Sequence, residues 1–201
     1  QSEDGQLAPP FAGPWRGFGF DMEIEGDRAV ISAPGSLDAG VPGAVYVYAH
    51  NGTDWIQEHE LYASDWHAGD YFGLMLALSG DTLVVGSMTG KAYVFQYDGV
   101  QWLEQAVLTR PGLGSAEHFG VGVWLDGDTA VLSAMREGTA GEDSGAAYVF
   151  VRNAGVWSFQ QRLAPSDAAE DDLTGFSAIQ GDTLLLGARG KDGQRGAVYV
   201  F

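Results

Sequence analysis

Short apolar runs separated by turn-forming residues recur along the chain, and residues 71–109 show this pattern most clearly. The runs and the turns between them are, in order, 72–78, Gly80-Asp81, 82–85, 92–97, Asp98-Gly99 and 101–109. A Gly-Asp or Asp-Gly pair between two apolar runs is typical of a tight β-hairpin, because glycine readily adopts a positive φ. The stretch therefore predicts a meander of four antiparallel strands.

Copies of this stretch fill nearly the whole chain. A Phe-Gly pair lies eight residues before a Gly-Asp turn at Phe18, Phe72 and Phe119, and Leu173-Thr174 takes the corresponding place in the last copy. The copies cover about 10–62, 63–109, 110–164 and 165–201, and we predict one domain spanning residues 1–201. A period of this length indicates modules that bury their surface against their neighbours.

The second and third strands of each copy are apolar almost without interruption, as in RAVISAP and GAVYVY of the first copy. A sheet with one face in water needs apolar residues only at alternate positions, whereas these strands are apolar at consecutive positions. We therefore expect both faces of each sheet to be covered by neighbouring sheets. Four copies stacked face to face satisfy this requirement.

A fourth strand is visible in only three copies, where Trp55, Trp102 and Trp157 each lie six residues before a leucine. The last copy ends at Phe201 without one. At the other end of the chain, Leu7 lies 11 residues before Phe18, as Leu61 does before Phe72. Residues 1–9 are therefore predicted to supply the missing strand, which would close a β-propeller of four four-stranded blades and remove its free edges.

The motif FGLMLALSGDTLVVGS followed by GKAYVF resembles the FG-GAP repeat, the blade unit of integrin α-subunit propellers and of many bacterial secreted proteins. Propellers of that family usually have more blades. The resemblance therefore leaves two alternatives to the four-bladed ring: two chains that form an eight-bladed ring, or a part of a longer propeller. Integrin-type repeats carry a calcium loop of the form DxDxDG where this chain has only a Gly-Asp turn, so the resemblance does not imply calcium binding.

The composition of the chain argues against two classes of partner, nucleic acids and anionic membranes. Ten Lys plus Arg against 27 Asp plus Glu give a net charge of −17, which opposes binding to nucleic acid and to anionic membrane surfaces. No apolar run of about 18 residues is present, so no membrane span is predicted. The chain starts at Gln1 and has no cysteine. The lack of cysteine excludes disulfides and says little about the compartment. With the resemblance, the start at Gln1 fits a processed secreted, extracellular, periplasmic or cell-envelope protein, and it equally fits a sequence cut from a longer one.

In a four-stranded meander, the loops between strands two and three and the loops between sheets emerge on one face, which we call the loop face. Binding residues are expected there, because loops on a rigid scaffold vary while the framework repeats. The candidate ligand-binding residues are Trp15, Asp65, Trp66, His67 and Asp70, where an aromatic ring beside carboxylates suits a sugar or a partner side chain. The structural alternative places both tryptophans between blades.

Acidic residues are crowded in another inter-sheet loop, at Asp167, Glu170, Asp171 and Asp172. Oxygen clusters of this kind suit Ca²⁺, and this loop is the candidate metal site. The same Ser-Asp-x-x-x-x-Asp pattern is also typical of side chains that cap turns, and clustered carboxylates are typical of a solvated face. No other cofactor is predicted.

No catalytic motif is present, and the four histidines show no metal-ligand spacing, so we do not expect an enzyme. The leading interpretation is a binding module or scaffold that contacts a protein partner through the loop face. The alternatives are a carbohydrate-binding lectin and a structural subunit of a larger assembly, including a homodimer. Trp15 or Trp66 exposed beside carboxylates in a shallow pocket would favour the lectin.

Overall fold

The computed structural model describes residues 6–9, 17–35, 40–67, 69–110, 112 and 116–201. In these residues the chain forms fifteen β-strands and one short helix, and the strands form four antiparallel sheets. Each sheet contains the strands of one repeat in chain order. The predicted all-β fold of four repeated meanders is therefore confirmed. No helix in this part of the chain is long and apolar enough to cross a membrane.

We number the sheets 1 to 4 in chain order. Sheet 1 contains β1 (Met22–Glu25), β2 (Arg28–Ala33), β3 (Ala44–His50) and β4 (Trp55–Leu61). Sheet 2 contains β5 (Leu76–Ser79), β6 (Thr82–Gly86), β7 (Ala92–Tyr97) and β8 (Trp102–Leu108). Sheet 3 contains β9 (Phe119–Asp126), β10 (Thr129–Ala134), β11 (Ala146–Asn153) and β12 (Val156–Leu163). Sheet 4 contains β13 (Thr174–Gln180), β14 (Thr183–Ala188) and β15 (Ala197–Val200), with helix α1 (Lys191–Gln194) before β15.

The Gly-Asp pairs form the hairpins between the first and second strands, as predicted. Their glycines have nearly the same positive φ, which is 58° at Gly26, 56° at Gly80, 54° at Gly127 and 54° at Gly181. A residue with a Cβ adopts this conformation only at a cost, so glycine suits the turn. The recurrence of the turn in all four copies therefore follows from hairpin geometry alone.

Apolar packing between consecutive sheets forms the core. We call the face of a sheet toward the preceding sheet its leading face, and the face toward the next sheet its trailing face. On the trailing face of sheet 1, Val30, Val45 and Val47 belong to one buried cluster with Leu83 and Tyr93 on the leading face of sheet 2. Similar clusters join sheet 2 to sheet 3 and sheet 3 to sheet 4. Both faces of the middle sheets are therefore covered.

The phenylalanine of each Phe-Gly pair is an anchor of this packing. Phe72 is fully buried, and its ring meets those of Tyr93 and Phe95 edge to face at 5.3 and 5.9 Å. Phe119 meets Tyr148 in the same way at 5.5 Å. Edge-to-face contacts of this kind stabilise beyond simple burial, by about 0.5–1.5 kcal/mol per pair.

The first strands of the four sheets surround a central cavity of about 300 Å³, lined by residues of all four sheets. The arrangement is thus that of propeller blades around an axis. Among the described residues, however, no apolar cluster joins sheet 4 to sheet 1, so the ring is not closed.

The expected N-terminal strand requires a correction. Sheet 4 has three strands, and residues 6–9 form no strand beside it, while residues 1–5 lie outside the described part of the chain. Leu7 instead packs against the leading face of sheet 1, near Phe18 and Tyr46. Leu61 packs in the same way against Phe72 of the next sheet, so Leu7 occupies the place that the repeat assigns to it. Residues 6–9 do not pair with the last sheet, because no apolar cluster of the described residues joins that sheet to sheet 1.

The last repeat also differs from its predicted register by one residue. Thr174, rather than Leu173, lies opposite Ala188, as Phe119 lies opposite Ala134 in sheet 3. A bulge between Thr174 and Phe176 absorbs the extra residue. Thr174 is fully buried, and its hydroxyl has no hydrogen-bond partner among the described residues. A polar group therefore occupies a position that the other repeats fill with an aromatic ring.

This leads to a stability prediction for Thr174→Val. The substitution keeps the shape of the side chain and removes a buried hydroxyl without a partner, so the free energy of unfolding is expected to rise by about 1 kcal/mol. Urea denaturation followed by circular dichroism measures it. Thr183→Val, at an exposed strand position, is the matched control and should change stability by less than about 0.5 kcal/mol. A loss of stability in Thr174→Val would contradict this assignment.

Candidate functional site

The two classes of loops meet on the loop face, as predicted. In three repeats a backbone N–H after the second strand donates to a carbonyl of the preceding inter-sheet loop. The pairs are Met88 N to Asp70 O at 2.9 Å, Arg136 N to Glu117 O at 3.1 Å and Gly190 N to Asp172 O at 2.9 Å. The loop face is therefore held to the sheets by a repeated main-chain contact.

The turn between sheets 1 and 2 is fixed by its two aspartates. Asp65 accepts a hydrogen bond from the Tyr93 hydroxyl at 2.7 Å and another from the Lys91 ammonium group. Asp70 is buried, and its carboxylate accepts from the backbone N–H of His67. The two carboxylates thus hold opposite ends of one turn, and that turn presents Trp66 and His67.

These hydrogen bonds affect ionisation. The Lys91 ammonium group, and next the Tyr93 hydroxyl, lower the pKa of Asp65 below the usual aspartate value. Burial, and next the hydrogen bond to Asp65, raise the pKa of Tyr93 well above its usual value. The carboxylate is therefore charged and the phenol neutral over the whole physiological range.

Trp66 lies in solvent rather than between blades. It is 46% exposed, and the neighbouring His67 side chain is 79% exposed. The His67 ring stands 3.8 Å from the Asp70 carboxylate, which is beyond hydrogen-bond distance. Of the five predicted ligand-binding residues, the structure brings Asp65, Trp66, His67 and Asp70 together in one turn, and Trp15 lies outside the described residues.

The turn between sheets 3 and 4 repeats this construction. Asp167 accepts from the Tyr199 hydroxyl at 2.8 Å and forms an ion pair with Lys191, as Asp65 does with Tyr93 and Lys91. Asp172 is buried and accepts from the backbone N–H of Ala169 at 2.8 Å, as Asp70 does from His67. The Ser-Asp-x-x-x-x-Asp pattern is therefore a turn-capping motif in both loops.

Two of the four predicted metal-binding residues, Asp167 and Asp172, contact the ammonium group of Lys191. Lys191 Nζ lies 3.3 Å from Asp167 Oδ2 and 3.2 Å from Asp172 Oδ2. Within the described part of the chain, no three acidic or histidine side chains are arranged to hold a metal ion. The positive charge of Lys191 opposes a divalent cation at this point. Calcium binding through these residues with Glu170 and Asp171 stays a prediction.

The same two loops, 169–173 and 189–194, line an open cavity of about 880 Å³ on the loop face. Its charged lining residues are of both signs: Glu170, Asp171, Asp172 and Asp192 are acidic, and Arg189 and Lys191 are basic. Among the described residues, the lining contains no serine, threonine, tyrosine or histidine. It is a polar surface suited to hydrogen bonds and ion pairs with a ligand.

Sequence reasoning missed the partners of the aspartates. Lys91 and Tyr93 stand two residues apart at the start of β7, so their side chains lie on one face of the strand and reach Asp65 together. This spacing was a usable signal. No such signal existed for Lys191, which reaches Asp167 from helix α1 rather than from the strand.

Two further acidic residues, Asp21 and Glu23, line the central cavity. Asp21 accepts from the backbone N–H of Leu76 at 2.7 Å and so links sheet 1 to sheet 2. Burial, and next the charge of Asp21, raise the pKa of Glu23 above its usual value. Both residues belong to the wall of the cavity, where Asp21 has a structural role.

Comparison with protein families agrees with this architecture. The FG-GAP repeat matches residues 55–95, 102–150 and 157–201, which is more than half of the chain. The chain belongs to the FG-GAP repeat family. Each match starts at the tryptophan of a fourth strand and runs into the following sheet. FG-GAP repeats form β-propellers, so the open ring of sheets is a propeller-type assembly.

Solved structures support the same fold. The chain matches the computationally designed Ika4 protein with a TM-score of 0.58 at 15% identity, covering 98% of both chains. It matches the designed Ika8 protein with a TM-score of 0.54 at 13% identity, covering 92% of this chain and 45% of that one. It matches Sqt1 from Chaetomium thermophilum with a TM-score of 0.58 at 17% identity, covering 94% and 44%. No curated protein matches the chain.

The turn chemistry of this FG-GAP protein predicts how its stability depends on pH. Because the pKa of Asp65 is lowered in the folded state, its contribution is complete above the usual aspartate pKa of about 3.9. The contribution is lost as the pH falls through the lowered value. Asp65→Asn should therefore melt at a lower temperature at neutral pH and lose less on acidification than the unsubstituted protein.

Thermal melts between about pH 6 and about pH 2 measure this difference. Asp182→Asn, at an exposed hairpin turn, is the matched control and should keep the pH dependence of the unsubstituted protein. Equal slopes for Asp65→Asn and the unsubstituted protein would contradict the role assigned to the Lys91 and Tyr93 hydrogen bonds.

Proposed function

We propose that this FG-GAP protein is a non-enzymatic protein-binding module that recognises its partner through the loop face, outside the cell or in the cell envelope. FG-GAP repeats are typical of extracellular proteins, and a β-propeller of this family is often a protein-binding module. The polar lining of the large cavity, with charged groups of both signs, suits ion pairs and hydrogen bonds with a protein partner.

The exposure of Trp66 carries this proposal. Trp66 is 46% exposed on a turn whose ends are held by Asp65 and Asp70. Tryptophan is among the residues that contribute most to protein interfaces. A side chain presented by a turn that is already ordered loses less conformational entropy on binding. In the free protein, the exposed Trp66 leaves apolar surface in water, which is unfavourable. A partner that covers this surface best explains its exposure.

The charge of the chain indicates the character of the partner. A net charge of −17 favours association with a surface of positive potential and speeds the encounter. On the loop face, the cavity beside sheet 4 adds Glu170 and Asp171 as acidic groups within reach of lysine and arginine side chains. The partner class is thus a protein with a basic surface around an apolar pocket for Trp66.

A lectin is the second candidate, because an exposed tryptophan also suits stacking on a sugar ring. Sugar recognition needs carboxylates that are free to accept hydrogen bonds from hydroxyl groups. Here Asp65 is engaged by Lys91 and Tyr93, and Asp70 is buried and engaged by His67. The arrangement of the turn therefore favours a protein partner over a glycan.

Trp66→Ala provides the test. Partners are captured with the biotinylated chain from an extract of the source cells, identified by mass spectrometry and titrated as purified proteins. Because hot-spot truncations cost about 2 kcal/mol or more, Trp66→Ala should weaken partner binding by at least about tenfold. Val156→Ala, an exposed residue at the β11–β12 hairpin, is the matched control and should bind normally.

A glycan array separates the two candidates. No Trp66-dependent binding to glycans is expected. Glycan binding that is lost in Trp66→Ala and kept in Val156→Ala would establish the lectin instead. If a protein partner binds Trp66→Ala and the unsubstituted chain equally, the proposed binding site on the loop face is wrong.

A further inference from the structure

The loop between sheets 2 and 3 lacks the aspartate that orders the two other inter-sheet turns. In those turns, Asp65 and Asp167 each lie four residues after the leucine that ends a fourth strand. The residue at the same distance from Leu108 is Gly112. Apart from its chain neighbours, no atom of the described residues lies within 4 Å of the place where a Cβ at Gly112 would stand. The carboxylate is therefore absent here, and the space beside the glycine is open.

The tyrosine that donates to this aspartate is kept in all three sheets. Tyr93 and Tyr199 donate to the turn carboxylates at 2.7 and 2.8 Å. Tyr148 lies at the same register position of β11 and is buried. Its hydroxyl accepts a hydrogen bond from the guanidinium group of Arg162. Because a hydroxyl that accepts keeps its own proton to donate, Tyr148 offers a donor where its counterparts hold a carboxylate.

Two arginines lie near this hydroxyl. Arg162 lies opposite Tyr148 on β12, and Arg110 follows the end of β8. The Arg110 guanidinium group stacks on the ring of Phe159 at 4.4 Å, and that ring lies 6.0 Å from the ring of Tyr148. The Nε atoms of both arginines are buried and have no hydrogen-bond partner among the described residues. Buried donors without a partner need an explanation, and a bound anion supplies one.

The charges at this place leave an excess of positive charge. Glu137 is buried, and its carboxylate accepts from Arg162 at 2.6 Å and from the hydroxyl of Thr139. Burial, and next the charge of Glu137, raise the pKa of Tyr148 above its usual value, so its hydroxyl is protonated at neutral pH. One carboxylate thus stands against the two guanidinium groups of Arg110 and Arg162. A monoanion neutralises the remaining charge, whereas a dianion reverses it.

We propose that Arg110, Tyr148 and Arg162, which we call the arginine site, bind a carboxylate group of a ligand. This carboxylate takes the place that the turn aspartates hold in the two other loops. The hydroxyl donates to one of its oxygens, and the guanidinium groups bind both, since the planar fork of arginine matches a carboxylate. The carboxylate belongs to a free small acid or to an acidic group of a protein. This inference does not depend on the proposed role of Trp66.

Nuclear magnetic resonance measures this binding directly, because the Nε–Hε signals of arginine respond to a bound anion. Sodium acetate is titrated into the isotopically labelled, unsubstituted chain at neutral pH, with sodium chloride keeping the ionic strength constant. We expect acetate to shift the signals of Arg110 and Arg162 in a saturable way. Sodium sulfate, a dianion, should bind more weakly than acetate at the same ionic strength.

Substitutions assign the binding to the arginine site. Arg110→Gln leaves the ion pair of Glu137 intact, so the chain should fold normally. It should weaken acetate binding by about tenfold or more, because a hydrogen bond to a charged group contributes this much to a binding constant. Tyr148→Phe removes only a hydroxyl and should also weaken binding. The matched controls are Arg195→Gln, at an exposed arginine, and Tyr93→Phe, whose turn has its own carboxylate, and both should bind acetate normally.

Two short peptides distinguish the sources of the carboxylate. One has blocked ends and a single aspartate, and the other has a free C-terminal carboxylate and no acidic side chain. Tighter binding of either peptide than of acetate assigns the carboxylate to a protein, and equal binding assigns it to a small acid. The proposal is overturned if acetate causes no saturable shift, if sulfate binds more tightly than acetate, or if Arg110→Gln binds acetate as the unsubstituted chain does.

Discussion

Face-to-face packing between repeated sheets is the interaction on which the rest of the structure depends. A sheet whose two faces are both apolar is stable only between two neighbours, because about 25 cal/mol is lost for each Å² of apolar surface left in water. Sheets 2 and 3 meet this condition completely, with Leu83 and Val84 both fully buried on opposite faces of one strand. Sheets 1 and 4 meet it on one face each. The exposed apolar residues at the two ends of the array follow directly from this.

The function-bearing loops depend on the same packing. Since the sheets stack in one direction, every inter-sheet loop emerges beside the loop that joins the second and third strands of the next sheet, and a main-chain hydrogen bond joins the two. Paired aspartates then order the turn, as Asp65 and Asp70 do around Trp66. A tryptophan on such a turn is presented to solvent by a rigid support, which is what a binding surface requires.

Much of this fold was predictable from sequence, because its elements are local. Gly80-Asp81 determines a hairpin by itself, and the uninterrupted apolar run of RAVISAP indicates a strand covered on both faces.

What could not be predicted depends on contacts between distant residues. The eight-residue spacing to the turn favours Leu173 as the replacement for phenylalanine, and only the bulge between Thr174 and Phe176 places Thr174 there instead. The position of Leu7 on sheet 1 was predictable, but the predicted pairing with the last sheet is not formed by residues 6–9, because that pairing requires sheet 4 to pack on sheet 1. At the site, Trp66 was recognisable as a candidate, while the Lys191 ion pairs depend on the conformation of a loop.

Hydrogen–deuterium exchange tests the central claim, that cover on both faces stabilises these sheets. In dilute solution, the amides of β6 (Thr82–Gly86) and β7 (Ala92–Tyr97) should exchange slowest, since their sheet is covered on both faces. The amides of β1 (Met22–Glu25) and β15 (Ala197–Val200) should exchange at least about tenfold faster under the same conditions. Equal protection of all four strands would show that stability is independent of cover between sheets, and would contradict this account.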